Sequence, residues 1–143
     1  MSFYKDTENR TWYIALNVGV FREIREKIEY KGRPFDLLNV SDPTTLQAVA
    51  TDAVLLVDLL ALITSEQRKT AGVSVSDFML AHKQDTLITA QTALLEALAD
   101  FFPTMERLAI QDMMRTLAKS REEATRQLER KAETQETPTA YGV

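Results

Sequence analysis

From Leu87 to Phe102 apolar residues recur at spacings of three and four. Leu87, Leu94, Leu95, Leu98, Phe101 and Phe102 would line one side of a helix, with Gln91 the polar interruption. Asp85 is placed to cap its first turn, because a short carboxylate accepts from the orphan N–H groups there. Pro103 ends it, since the residue before a proline is pushed out of the α region. A second apolar face, Leu55, Leu56, Leu59, Leu60 and Ile63, predicts another buried helix. Two such stripes must cover one another or be covered by other elements.

The first thirty residues read differently. Phe3-Tyr4-Lys5 and Thr11 to Leu16 are rich in aromatic and β-branched residues and flank the turn-forming D-T-E-N-R, which predicts a β-hairpin. Asn17 is a candidate N-cap for a helix that keeps Val20, Phe21, Ile24 and Ile28 on one face and Arg22, Glu23, Arg25, Glu26 and Lys27 on the other. Lys31-Gly32-Arg33-Pro34 breaks the chain. Phe35, Leu37 and Leu38 form a short apolar anchor. Asp42 followed by Pro43 is a favoured helix start, with Leu46, Val49 and Ala50 apolar and a restart at Thr51 or Asp52.

The polar run from Thr64 to Gly72 reads as a loop. Ser74, with Asp77 three residues on, resembles a capping box opening a short helix that carries Phe78, Met79 and Ala81 and closes at His82. Thr104 is placed to cap a long final helix on which Met105, Leu108, Ile110, Met114, Leu117, Ala124 and Leu128 thin out, with Arg121 interrupting. The pattern therefore predicts a mainly α, α+β fold: an N-terminal β-hairpin followed by a bundle of about five helices, the last long and charged. Residues 1–132 are expected to form one domain and 133–143 a disordered tail.

Composition narrows the function classes. The formal charge is −4, which offers no field for nucleic acid, but it is uneven. Residues 1–33 carry seven basic and five acidic groups, residues 34–102 three and nine, and residues 103–143 seven of each. There is no cysteine and one histidine, so a thiolate metal site and a cysteine nucleophile are out of reach, and neither a Ser-His triad nor a zinc site of ordinary ligands is expected. His82 reads as a surface histidine in a C-terminal turn, where a cation would suit the helix dipole. The four glycines are too far apart for a phosphate-cradling loop. No enzyme, cofactor or metal is expected. The polar, acidic N-terminus argues against a signal peptide, and the run from Ala53 to Ile63 is too short to span a bilayer. Tyr4, Trp12 and Tyr13 could stack bases, but the few nearby cations favour core packing.

Protein contact is what remains, and two surfaces qualify. One is the hairpin edge, which could add a strand. The other is a groove between the two strongest helices, with an acidic rim from Asp52, Asp58, Glu96 and Asp100. Phe21, Ile24, Leu59, Leu95, Leu98 and Phe102 are the candidate binding residues, with Asp58 and Glu96 as rim charges.

The order of pieces resembles small phage tail assembly chaperones, prophage-encoded ones included. T-W-Y-I-A-L-N-V runs into F-R-E-I-R-E-K-I, then come F-D-L-L, A-T-D-A-V-L-L-V-D-L-L-A-L-I, a V-S-x-x-D-F entry to a helix, and A-L-L-E-A-L-A-D-F-F-P before the charged helix. The resemblance implies a non-enzymatic protein of the host cytoplasm. It would bind the helical, aggregation-prone tape measure protein and keep it soluble while tail tube subunits polymerise around it, with no nucleic-acid or membrane partner. It also implies a C-terminally extended form made by ribosomal frameshifting, and leaves homo-oligomerisation open. The rival readings are a virion structural subunit of tail or connector and a small bacterial regulatory adaptor.

Overall fold

The computed structural model describes the backbone of residues 2–139 and the side chains through Glu133. Among the described residues the elements run β1 (Ser2–Lys5), β2 (Thr11–Ile14), α1 (Val18–Lys27), β3 (Glu29–Tyr30), β4 (Arg33–Pro34), α2 (Pro43–Thr51), α3 (Ala53–Ile63), α4 (Ser65–Ala71), α5 (Val75–Leu80), α6 (Asp85–Phe101) and α7 (Thr104–Thr139). This is the mainly helical α+β fold that the hydrophobic pattern predicts, with seven helices rather than about five.

The chain divides into two compact units, 1–111 and 112–143. The second unit consists, where described, of the remainder of α7. That helix runs on to Thr139, through the stretch from Glu133 that the sequence reads as a tail. Residues 140–143 of that tail lie outside the described residues.

Alternation builds the hairpin. β1 and β2 pair antiparallel with Tyr4 opposite Trp12 and Phe3 opposite Tyr13. Tyr4, Trp12 and Ile14 point inward and are buried, while Phe3 and Tyr13 stack on the outer face with ring centroids 5.9 Å apart. α6 packs mainly on β1 and covers the inner face. Behind it lies one core. Phe21 and Ile24 from α1 meet Leu55, Leu56, Leu59 and Leu60 from α3, Phe78 from α5, and Leu94, Leu95 and Leu98 from α6; all ten are buried. Leu37 and Phe35 anchor the segment after β4, as their spacing predicts.

Local capping explains most boundaries. The side chains of Asn17, Asp42, Asp52 and Ser74 accept from Val20, Thr44, Leu55 and Asp77 backbone N–H groups at 3.0, 2.9, 3.1 and 3.1 Å. Asp52 does double duty, because its own N–H closes α2 on Ala48 O at 2.9 Å while its carboxylate opens α3. α2 and α3 meet there at 95°. Among the described residues no single helix is long and apolar enough to cross a membrane.

Several boundaries differ from the pattern. Residues 65–71 form α4 rather than a loop, ended by Gly72 in the left-handed region at φ 69°. The helix escapes a hydrophobicity search because none of its residues is buried. The break at 31–34 is a tight hairpin: Lys31 and Gly32 have φ 53° and 78°, the pair of positive angles that a two-residue turn matching the strand twist requires. Asp85 is the first residue of α6 rather than its cap. Gln84 holds the cap position at φ 53°, ψ −125°, with no side-chain capping bond. Thr104 is likewise inside α7, whose first turn closes from Arg107 N–H to Pro103 O at 3.0 Å.

Candidate functional site

The most concentrated polar chemistry in the first unit lies where the hairpin meets α5. Asp6 opens the loop between β1 and β2. Its Oδ1 accepts from the backbone N–H groups of Glu8 and Arg10, both at 2.9 Å. Its Oδ2 accepts from Arg10 Nε at 2.8 Å and from the buried Trp12 Nε1 at 2.9 Å. Burial alone would push this carboxyl up. The bonds from Arg10 and Trp12 outweigh it and hold the group below the usual carboxylate range. Thr7 N–H then donates to Ala81 O at 2.8 Å, tying the loop to the end of α5.

Next to Asp6 stands the single histidine. His82 is buried, not a surface group. Its Nδ1 lies 2.7 Å from Phe78 O and its Nε2 2.6 Å from the Tyr4 hydroxyl. Phe78 O is an acceptor, so Nδ1 carries the proton and donates; Nε2 is then the acceptor for the Tyr4 O–H. Burial lowers the His82 pKa despite the opposing pull of the Phe78 bond, and burial raises that of Tyr4. The imidazole is therefore neutral near pH 7. The expected cation at a helix end is replaced by a neutral ring whose two nitrogens are both used in holding β1 to α5. Arg10 lies over Trp12, whose ring stands edge-to-face with that of Phe78 at a centroid separation of 5.3 Å, so the cluster is a structural joint.

The residues expected to bind a partner fall elsewhere. Phe21, Ile24, Leu59, Leu95, Leu98 and Phe102 are all buried in the core. Phe21 packs on Phe101 with centroids 4.7 Å apart. The apolar stripes of α3 and α6 face into this core and the two helices touch, so the groove expected between them is filled. Nor do the four rim carboxylates converge on one opening. Asp52 is a cap, Glu96 is exposed, and Asp58 and Asp100 line different depressions. A sequence stripe cannot distinguish a face that docks a partner from one that docks the rest of the chain, and here the chain supplies the cover.

Asp58 is the one rim residue in a distinctive setting. It is half-buried, and its carboxyl is raised above the usual range by burial first and by the charge of Asp52 second. It shares an open depression with Lys27, Ile28, Leu62, Val75 and Met79. Val75 and Met79 are exposed apolar residues on α5.

The hairpin edge is occupied from within the chain. Gln67, on α4, accepts from Tyr13 N–H through Oε1 at 2.9 Å and donates from Nε2 to Tyr13 O at 2.7 Å. No periodicity flags this residue. A lone glutamine in a polar run carries no signal of its partner, which lies 54 residues away.

In the second unit none of residues 112–133 is buried. Met114, Leu117, Ala124 and Leu128 follow one another at helical spacing with Arg121 between them, and Leu128 is 66% exposed. Compared with family models, curated proteins and solved structures, the chain matches none of them.

Proposed function

We propose that the protein is a non-enzymatic phage tail assembly chaperone that holds the helical tape measure protein soluble in the host cytoplasm while the tail tube forms. The observation that carries this reading is the part of α7 from Asp112 to Glu133. A helix with no buried residue and an apolar row at spacings of three and four offers what another amphipathic helix needs for side-by-side packing. The order of elements along the chain, from hairpin through the capped helices to the long charged helix, supports the same reading.

The binding face is accordingly assigned to Met114, Leu117 and Leu128, with the six core residues supporting the fold that carries it. The mechanism is transient cover: apolar faces of the client helix lie on the row, and the abundant charges on the rest of α7 keep the complex soluble. The test is co-expression with the tape measure protein, measuring its soluble fraction. Solubility that depends on this chain, and is lost in Leu117→Glu/Leu128→Glu while the first unit still unfolds at its usual temperature, supports the reading. A tape measure protein equally soluble alone and absent from the pull-down overturns it.

A further inference from the structure

A side-chain amide bonded twice to one residue's backbone is a chemical stand-in for a peptide group. Gln67 is such a group: one carboxamide accepts from Tyr13 N–H at 2.9 Å and donates to Tyr13 O at 2.7 Å. In an antiparallel sheet, residues that exchange both N–H···O bonds do so with this same donor and acceptor pair. Tyr13 faces Phe3 across the hairpin, and its N–H and C=O are directed outward to Gln67. The outer edge of β2 thus has the chemistry of an unfinished ladder with one rung filled by a side chain.

We infer that the outer edge of β2 is a latent strand-pairing site for β2 of a second copy of this chain, held shut by Gln67. A second copy is the occupant the geometry favours, because the pairing closes on itself. A two-fold axis at Tyr13 sets Tyr13 against Tyr13 of the other copy, and each gives one N–H and takes one from the other. The same axis brings together the two outer aromatic pairs. Phe3 and Tyr13 are 57% and 47% exposed, so the joined sheet would carry a continuous aromatic row on its outer face.

The guard is removable. α4 has seven residues and none is buried, so the helix contributes no side chain of its own to the core. Moving it off the edge gives up the Gln67 pair, the two bonds from the Arg68 guanidinium to Ala61 O at 3.1 and 2.8 Å, and the contact of Arg68 with the Phe78 ring, 5.7 Å from its centroid. Edge strands of soluble proteins are commonly protected by charge, proline or a covering loop. Here β2 carries neither charge nor proline, and a glutamine from the neighbouring helix does the covering.

Sedimentation velocity over a concentration series, with hydrogen exchange at the Tyr13 amide, tests this on the full chain. Gln67→Ala should self-associate about tenfold more tightly than the unsubstituted protein, on the scale of the one or two hydrogen bonds released to the partner. Its Tyr13 amide should exchange fast when dilute and slow in the associated form. Gln67→Ala/Tyr13→Lys should return to the unsubstituted level, since like charges directly opposite in a ladder repel. Unchanged self-association in Gln67→Ala overturns the inference. So does association that Tyr13→Lys leaves in place, or that leaves the Tyr13 amide exchanging fast.

Discussion

The hydroxyl of Tyr4 donates to Nε2 of His82 at 2.6 Å, across 78 residues of chain, and both groups are buried. That bond joins the first strand to the end of α5. Its value lies less in its own strength than in the cost of breaking it. Tyr4→Phe keeps the ring but leaves Nε2 without a donor in the interior, and should lose about 1–3 kcal/mol. A shifted urea midpoint with an unchanged slope would record it.

His82 also predicts how stability depends on pH. Its folded pKa lies below the usual histidine value, with burial the leading cause. The unfolded chain therefore takes up a proton from about pH 6.5 downward while the folded chain does not. Stability contributed by the neutral ring is complete above that pH and declines as pH falls toward the folded pKa. Asp6, held low in the fold, adds a further loss below about pH 4. In His82→Gln the decline that begins near pH 6.5 should disappear and the acid step remain. Thermal unfolding from pH 8 to pH 3 checks both.

Asp6 organises the hairpin loop through four hydrogen bonds. Asp6→Ala should cost about 3 kcal/mol, because Trp12 Nε1 is left buried without an acceptor and Arg10 without its partner. Asp6→Asn retains an oxygen and should cost less. Trp12 fluorescence during denaturation follows the loss where it occurs.

Gln91 interrupts the stripe of α6 for a reason visible only in the fold. Its Nε2 donates to Val49 O and Ala50 O at 3.2 and 2.8 Å, serving carbonyls at the end of α2. Gln91→Leu would complete the apolar pattern, yet it should destabilise by about 1–3 kcal/mol by leaving those carbonyls unpaired. A stabilised Gln91→Leu variant would contradict the assignment.

Gln84 sits at φ 53°, ψ −125°, a region costly for any residue with a Cβ. Gln84→Gly should stabilise by about 1 kcal/mol, since its side chain makes no capping bond to lose. A melting temperature that falls would contradict this.

Core and surface separate within one turn of α6. Leu98 is buried and Leu98→Ala should cost about 2–5 kcal/mol, whereas Glu96 is exposed and Glu96→Lys should change stability by about 0.5 kcal/mol at most. Parallel denaturation curves of the two variants check this assignment.

Some of this protein is decided by residues near one another in the chain, and there the sequence went furthest. Asn17, Asp42, Asp52 and Ser74 cap helices with partners two or three residues away, a spacing that marked three of them outright and left Asp52 open against Thr51, while the same signal misplaced the caps at Asp85 and Thr104. The burial of Leu55, Leu56, Leu59 and Leu60 follows from a period of 3.6, whereas of the hairpin aromatics expected in the core Tyr4 and Trp12 are buried and Tyr13 is exposed. The tertiary structure decided everything that depends on distant partners. It closed the apolar faces of α3 and α6 inside the first unit, turned a histidine expected at the surface into a neutral buried joint with Tyr4, and set Gln67 on the edge of β2. A periodic pattern records that a face must be covered but not by what. A polar side chain records that it needs a partner but not where the fold will bring one.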